Sequence, residues 1–551
     1  MKKKTSKTLG AFSQWLGHPL VRLFLVVLAA VAVQLILFSH KGLFHNDELA
    51  SFYVANGEKG MYYFEDKREA NNAHLTGDYF QALITQQGNS SFSLMWKNLP
   101  RDNHMPIYFV LLRGICSFFE PVFSITPAVI LNVLALIFLL FGFYALLKRI
   151  FKDEEIAIAG TFWFAFSYTV LSLEVYIRMY LLWMGFTIYL INFMIAFLEE
   201  ERNKYLTFVW LFSVLQILTH FYGFVFEFAV AVSGFLILWS SSLKHKIKKM
   251  VAFTATVLFS VLSAFLIYPG MFTAFRFVGR GGQAVDLLYQ WVDKPLEVFT
   301  KQSKLLKEAL YFDWKWLLGV MAVALLLCLF KKSDIEKRYK LITSFFVYVI
   351  FLYMLIVMAV MPEIPLYSLR YFAVIAPLVF VLGLFIVVSL GKMIGLKKSI
   401  AVFLLLIGGI NAFLHAIHQD SPFYFRGTNE DKKFDRIIPN SHIWWGIIHE
   451  DLGFAWNVSS EVERLSKADD VWTLVDEYDE AFASYAKAEA EMGKYAYLIL
   501  SDSYEDKEEG KEVISWVKAY TGRNAYYLFT IKDGVVPLVK LKASIFMVAP
   551  F

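Results

Sequence analysis

LFLVVLAAVAVQLILFS, residues 23–39, followed at once by HKGLFHNDE, residues 40–48, sets an uninterrupted apolar run against a polar quartet, His45-Asn46-Asp47-Glu48. A helix rises about 1.5 Å per residue, so roughly 17 to 25 apolar residues cross a hydrocarbon core of about 30 Å. Leu23 to Ser39 meets that length. The preceding MKKKTSK is common to signal peptides and to first transmembrane helices. The residues after the run are His40, Lys41 and Gly42 rather than a small-residue cleavage site, so the run reads as an uncleaved helix.

Outward from this stretch, similar runs recur, about eleven in all: Leu23–Ser39, Pro127–Leu147, Ile156–Leu173, Met179–Leu198, Tyr205–Thr219, Tyr222–Leu243, Val251–Tyr268, Trp316–Phe330, Leu341–Met361, Tyr371–Leu390 and Ser399–His415. Composition agrees. Of 551 residues 58% are hydrophobic, 18% aromatic and only 18% charged, and the mean hydropathy is +0.51, which excludes an ordinary soluble globular chain. The expected fold class is therefore mainly α: a polytopic membrane protein of about eleven transmembrane helices.

The net charge of +5 matters less than where Lys and Arg fall. With MKKKTSK inside and sides alternating, the cytoplasmic loops are 148–155, 199–204, 244–249, 331–340 and 391–398; all are basic except 199–204, which mixes Glu199, Glu200 and Glu201 with Arg202 and Lys204. The expected location is the inner (plasma) membrane, with a cytoplasmic N-terminus. Three long segments are then extracytoplasmic: 40–126, 269–314 and everything after about 416. Cys116 and Cys328 fall toward opposite sides of the bilayer, so no structural disulfide is expected.

After about 415 the character changes. Charged runs, 429–436 and 505–512, and short β-rich runs, Val471–Val475, Tyr495–Leu500 and Tyr526–Ile531, alternate with helical patterns. Residues 1–415 are expected to form the transmembrane domain, with an outer loop 40–126, and 416–551 a small extracytoplasmic α/β domain. Within the outer loop, Pro106–Phe119 is semi-apolar, carries Arg113 in its middle and reads as a helix lying along the interface.

Five polar clusters carry candidate chemistry. Asp47-Glu48 follows helix one, where a carboxylate can deprotonate an acceptor hydroxyl or hold a divalent cation, or simply be solvated. Asp102-Asn103-His104-Met105-Pro106-Ile107-Tyr108 opens the interfacial helix and suits capping, with Pro in the first turn. Glu174-Val175-Tyr176-Ile177-Arg178-Met179-Tyr180 links two helix ends, and its Arg178 can snorkel or hold a lipid phosphate. Thr219-His220-Phe221-Tyr222-Gly223 forms a turn, with the ionisable Glu227 just inside the next helix. Ser368-Leu369-Arg370-Tyr371-Phe372 opens a late helix, and Arg370 has the same two readings as Arg178. All five fall on the extracytoplasmic side of a topology counted from other residues, which favours a shared site over five unrelated loops.

In this order the clusters resemble the GT-C membrane glycosyltransferases, specifically bacterial family 39-like enzymes related to protein O-mannosyltransferases and the aminoarabinose transferase. The resemblance covers roughly 20–415: Asp47-Glu48 after helix one, His104-Met105-Pro106-Ile107-Tyr108 for a His-Pro-Pro-Leu-Tyr-like motif, Glu174 to Tyr180 for a Glu-x-Arg-Met-Tyr-like stretch with one extra residue, His220 to Gly223, and Arg370-Tyr371.

The resemblance implies a glycosyltransferase, hexosyl or pentosyl, whose donor is a polyprenyl-phosphate-linked sugar, in a bacterium undecaprenyl phosphate. The donor phosphate is then expected at Arg178 and Arg370, with Tyr180 and Tyr371 beside them, and Arg276, Arg280 and Lys301 are further phosphate or acceptor candidates. Asp47 is the expected general base and Glu48 its catalytic neighbour, in a single, inverting displacement. His104, His220, Tyr222 and Glu227 are expected to bind acceptor or orient groups, and Glu48 with His104 can ligate a divalent metal cation. The partners expected are membrane lipid and an extracytoplasmic glycan, lipid or protein acceptor, with no nucleic acid. Two rivals explain the helices differently: a transporter or flippase, which predicts polar residues at the bundle midplane and on both faces, and a scaffold of envelope assembly, which predicts an indifferent Asp47.

Overall fold

The computed structural model describes residues 18–57, 73–86, 91–101, 104–240, 245–273, 280–301, 337–360, 369–393, 397–418, 429–447, 463–475, 480–501, 507–531 and 543–550. They form two compact units. One comprises Met1–Ser39, Asn103–Tyr108 and Ala128–Tyr424; the other His40–Asp102, Phe109–Pro127 and Phe425–Phe551.

The first unit is a helical bundle, and the chain is a multi-pass membrane protein. Among the described residues seven helices are long and apolar enough to cross a bilayer: Pro19–His40, Thr126–Phe151, Tyr180–Glu200, Tyr222–Ser240, Lys246–Ile267, Leu341–Val360 and Arg370–Ser389. A further pair of helices is long and apolar enough only when the two are taken together. Glu154–Ala165 and Tyr168–Glu174 meet at 57°, where the Ser167 hydroxyl accepts from Val170 N at 3.3 Å and so caps a new helix. Lys204–Ile217 and Ser399–Asn411 are shorter apolar helices, and the expected run Trp316–Phe330 lies outside the described residues.

The loops that the charge count places on one side are tied to one another. Arg149 donates to Asn192 Oδ1 at 3.0 Å and to Glu200 Oε1 at 3.2 Å, Lys249 pairs with Glu201, and Lys148 meets Glu154 at 2.6 Å. The acids that made 199–204 the mixed loop are thus partnered by the basic residues of neighbouring loops, and Glu201 itself turns the chain in a left-handed conformation (φ +58°). Arg22 on the first helix pairs with Glu155 at 2.6 Å across the same ends.

The second unit is built on a six-stranded sheet of order β1-β3-β2-β4-β6-β5. The strands are β1 (His74–Thr76), β2 (His442–Ile447), β3 (Asp470–Val475), β4 (Ala496–Ser501), β5 (Ala525–Ile531) and β6 (Ala543–Val548). β3, β2 and β4 are parallel, with Trp444 opposite both Trp472 and Leu498, whereas β6 and β5 add antiparallel. Three of these strands are the β-rich runs read in the sequence at Val471–Val475, Tyr495–Leu500 and Tyr526–Ile531. β1, by contrast, comes from the 40–126 segment: it pairs antiparallel with β3, His74 opposite Trp472. The approach there is close. A Cβ at Gly77 would lie 2.3 Å from the carbonyl oxygen of Ala468, so only glycine fits.

Trp444, Trp472, Phe482, Leu498 and Phe546 make the core of this unit. Arg523 is wholly buried against it, its guanidinium over the Trp444 ring and donating to the carbonyls of Ala549 (2.9 Å), Ala486 (3.3 Å), Val548 (3.2 Å) and Lys494. Burial lowers its pKa, partly offset by nearby Glu489. Replacing it strands those carbonyls, so Arg523→Met in the full-length protein is expected to cost about 3 kcal/mol of local stability. Limited proteolysis of purified protein should then cut within 429–551 markedly faster than in the unaltered chain; an unchanged cleavage rate would show that the carbonyls find other partners.

Candidate active site

The polar groups of the first unit gather at a corner where the chain leaves helical geometry. Between Glu174 and Tyr180 the backbone is not helical, so its carbonyls need partners other than the i+4 amide. Asn132, on Thr126–Phe151, donates to the carbonyls of Glu174 (3.2 Å) and Tyr176 (2.9 Å), and Gln34, on Pro19–His40, donates to Glu174 O at 2.9 Å. Arg178 N closes onto Tyr176 O at 2.7 Å. Two long helices therefore hold the segment that carries Tyr176, Arg178 and Tyr180.

Arg178 is buried (3% exposed) and its guanidinium reaches Nε2 of buried His104. Because arginine stays protonated and only donates, that nitrogen accepts and the His104 proton sits on Nδ1. Ile107 N donates to Leu218 O at 3.1 Å, seating the start of the Pro106 helix against the end of Lys204–Ile217. Arg370, equally buried, donates to the phenol oxygens of Tyr176 and Tyr371, 3.0 Å each, and lies 4.9 Å from the Tyr371 ring centre. The Tyr371 carbonyl is fixed by the Tyr353 hydroxyl at 2.6 Å.

Rings fill the space around them. Tyr176 and Tyr180 stack at 5.8 Å. His220 stacks on Trp183 at 4.4 Å and on Tyr222 at 5.5 Å, lies 5.3 Å from Tyr180 and 6.4 Å from Tyr371, while Tyr222 and Tyr371 meet at 5.2 Å. Glu227 is buried one step away, accepting from Ser213 Oγ at 2.9 Å and Gln216 Nε2 at 3.0 Å.

The structure thus brings together His104, Tyr180, Arg178, His220, Tyr222, Arg370 and Tyr371, from four of the five clusters read in the sequence. Chemically this is a buried pair of permanent cations bonded by neutral imidazole and phenol groups, an arrangement that suits a phosphate. Tyr176, Trp183, Gln216, Asn132 and Gln34 were not singled out from the sequence. A signal was available for the three amides, since polar side chains inside apolar runs are costly unless they serve something.

Asp47 and Glu48 belong to the second unit, and the structure separates their roles. His45 caps the helix Asn46–Asn56: its Nδ1 accepts from Asp47 N at 2.9 Å, while Glu48 Oε2 accepts from His45 N at 2.7 Å, a capping box. The other Glu48 oxygen binds the Lys41 ammonium, and both side chains are fully buried. Burial lowers the Lys41 pKa, with Glu48 opposing the shift. Glu48 is therefore engaged in the fold, whereas the Asp47 side chain keeps 15% exposure, 3.8 Å from His45 Nδ1.

The expected Glu48 and His104 metal pair does not fit these donor sets. One Glu48 oxygen faces an ammonium, and the His104 Nε2 faces a guanidinium, neither of which leaves that atom for a cation. Among the described residues no group of three or more His, Cys, Asp or Glu is placed to hold a metal ion. Of the further phosphate candidates, Lys301 lies 3.4 Å from Glu297 and half exposed; Arg280 opens the helix Arg280–Asp293, and Arg276, like Asp102, Asn103, Ser368 and Cys328, lies outside the described residues. Cys116 is a free thiol accepting from Asn56 Nδ2 at 3.5 Å.

No protein-family model matches the chain, and no curated protein matches it. Among solved structures it is similar to ArnT from Cupriavidus metallidurans in the apo state (10% identity, TM-score 0.48, 98% of each chain covered) and bound to undecaprenyl phosphate (10%, 0.45, 95% of this chain and 97% of that one). It is also similar to the Archaeoglobus fulgidus oligosaccharyltransferase in the apo form (12%, 0.42, 97% of this chain and 74% of that one). Both proteins are GT-C fold glycosyltransferases, the group that the sequence motifs resemble.

Proposed function

We propose that this chain is a membrane glycosyltransferase that moves a sugar from a polyprenyl-phosphate carrier to an acceptor on the extracytoplasmic side. The observation that carries the reading is the pair of buried guanidiniums, Arg178 and Arg370, held by His104, Tyr176 and Tyr371 at the ends of apolar helices. An anion whose tail is a hydrocarbon and whose head is a phosphodiester matches buried guanidiniums placed at the ends of apolar helices.

In the reaction, an acceptor hydroxyl or amine attacks the anomeric carbon as the bond to the phosphate oxygen breaks. Asp47 takes the acceptor's proton, the polyprenyl phosphate departs with the bonding pair, and Arg178 and Arg370 stabilise the charge growing on it. A single displacement inverts the anomeric centre. Asp47 is chosen over Glu48 because Glu48 is committed to Lys41 and to the helix cap.

The test is transfer by purified, detergent-solubilised protein supplied with radiolabelled polyprenyl-phosphate sugars and a membrane extract as acceptor source. Asp47→Asn is expected to lower turnover at least about 100-fold with thermal stability unchanged; full activity in that variant would remove Asp47 from the mechanism. Arg178→Met and Arg370→Met are each expected to lower kcat/KM for the donor about 100- to 1000-fold, and donor saturation curves that match the unaltered protein would refute the phosphate assignment. Glu48→Gln should behave differently, losing about 3 kcal/mol of stability because Lys41 is left buried without its counter-charge. The double variant Lys41→Met with Glu48→Gln should recover most of that loss in thermal unfolding, whereas an equally unstable double variant would show that the ion pair is not the cause.

A further inference from the structure

Gln216 is fully buried on the helix Lys204–Ile217, and its side-chain amide makes three hydrogen bonds, two from the nitrogen and one at the oxygen. Its Nε2 donates to Gly223 O and to Glu227 Oε2, both at 3.0 Å, and its Oε1 accepts from the Trp183 indole at 3.2 Å. Indole only donates, while carbonyl and carboxylate oxygens here accept, so the amide cannot be flipped without losing all three bonds. Its backbone takes part as well: Gln216 O accepts from the amides of Thr219 (3.3 Å) and His220 (3.4 Å). The fit against the turn is tight, since a Cβ at Gly223 would lie 2.7 Å from Gln216 O and 2.8 Å from its Oε1.

Two consequences meet at His220. Trp183, pinned by its N–H, presents the face on which the His220 ring lies at 4.4 Å and 18°. The clamped turn also sets Tyr222 N 3.1 Å from His220 Nδ1. An amide N–H donates, so Nδ1 accepts and the ring proton resides on Nε2. His220 is thereby a neutral imidazole with an N–H donor, in the ring of tyrosines around Arg370.

We propose that Gln216 is a positioning residue: through Trp183 and the 219–223 turn it fixes the ring plane and tautomer of His220, and so the N–H donor that His220 offers to the carrier phosphate. The phosphate part of this inference rests on the function proposed above. Glu227 and Ser213 complete the device by holding the amide in register.

The experiment uses full-length protein in two measurements. The first is solid-state nitrogen NMR of histidine-labelled protein, with His220 assigned by difference against His220→Ala. The unaltered protein should show one tautomer at His220, protonated on Nε2, and Gln216→Leu should show a mixture; Trp183→Phe, which removes the indole bond but keeps a ring, reports on the same link if Gln216→Leu does not fold. The second is binding of undecaprenyl phosphate. Gln216→Leu should weaken it about tenfold, the loss of one hydrogen bond to an anion, yet cause no further weakening in a His220→Ala background. Unchanged His220 nitrogen signals, or an equal loss in both backgrounds, would overturn the inference, because a merely structural Gln216 costs the same with or without His220. Failure of the unaltered protein to bind undecaprenyl phosphate would overturn the functional reading itself, and the nitrogen spectra alone would then decide whether Gln216 orients His220.

Discussion

A backbone that leaves helical geometry inside an apolar bundle has no water to satisfy it, so side chains must supply its hydrogen bonds. The corner at 174–180 obeys this constraint through Asn132 and Gln34, which bind the carbonyls of Glu174 and Tyr176. The site follows from it. Tyr176 can bond Arg370, and Arg178 can bond His104, only because the segment carrying both is held to Thr126–Phe151 and Pro19–His40. A continuous helix through these positions would have needed none of those amides, and would have spread the same side chains around its circumference at 100° intervals.

Buried charge is met in two ways in this chain. In the second unit Lys41 and Glu48 neutralise each other out of water, and the carboxylate also closes a helix cap. Such a pair mainly avoids the penalty that either ion would suffer alone. Arg178 and Arg370 instead bond the imidazole of His104 and the phenols of Tyr176 and Tyr371. The imidazole nitrogen and the phenol oxygens accept from the guanidinium N–H groups without bringing a counter-charge of their own, whereas Glu48 brings one to Lys41.

Much of this was legible in the residues because membrane burial writes itself in long apolar runs, and because strands such as Val471–Val475 are short runs rich in β-forming residues between helical patterns. The polar clusters could be found as interruptions of those runs. What stayed hidden has physical reasons. The break at Ser167 leaves no charge or proline in an otherwise apolar stretch. Strand β1 is three residues long and is made by pairing with residues some 400 positions away, which no local pattern reports. The part Glu48 takes in a helix cap was hidden because the cap residue, His45, is outside the usual Ser, Thr, Asp and Asn set. Gln216 gave no local pattern because its three partners, Trp183, Gly223 and Glu227, lie on other segments or across a turn.

The aromatic content of 18% also takes on a specific meaning at the site. Tyrosine and tryptophan bury an apolar body while keeping one polar atom, which lets them stand inside a bundle and still bond an arginine or an amide. Tyr176 uses its hydroxyl on Arg370 and its ring on Tyr180; Trp183 uses its N–H on Gln216 and its face on His220. Phenylalanine in these places would keep the packing and lose the registration, whereas serine or asparagine would keep a polar atom and open a cavity. Orientation of the buried guanidiniums is therefore carried in part by rings that pack and bond at once, as Tyr176 and Tyr371 do for Arg370.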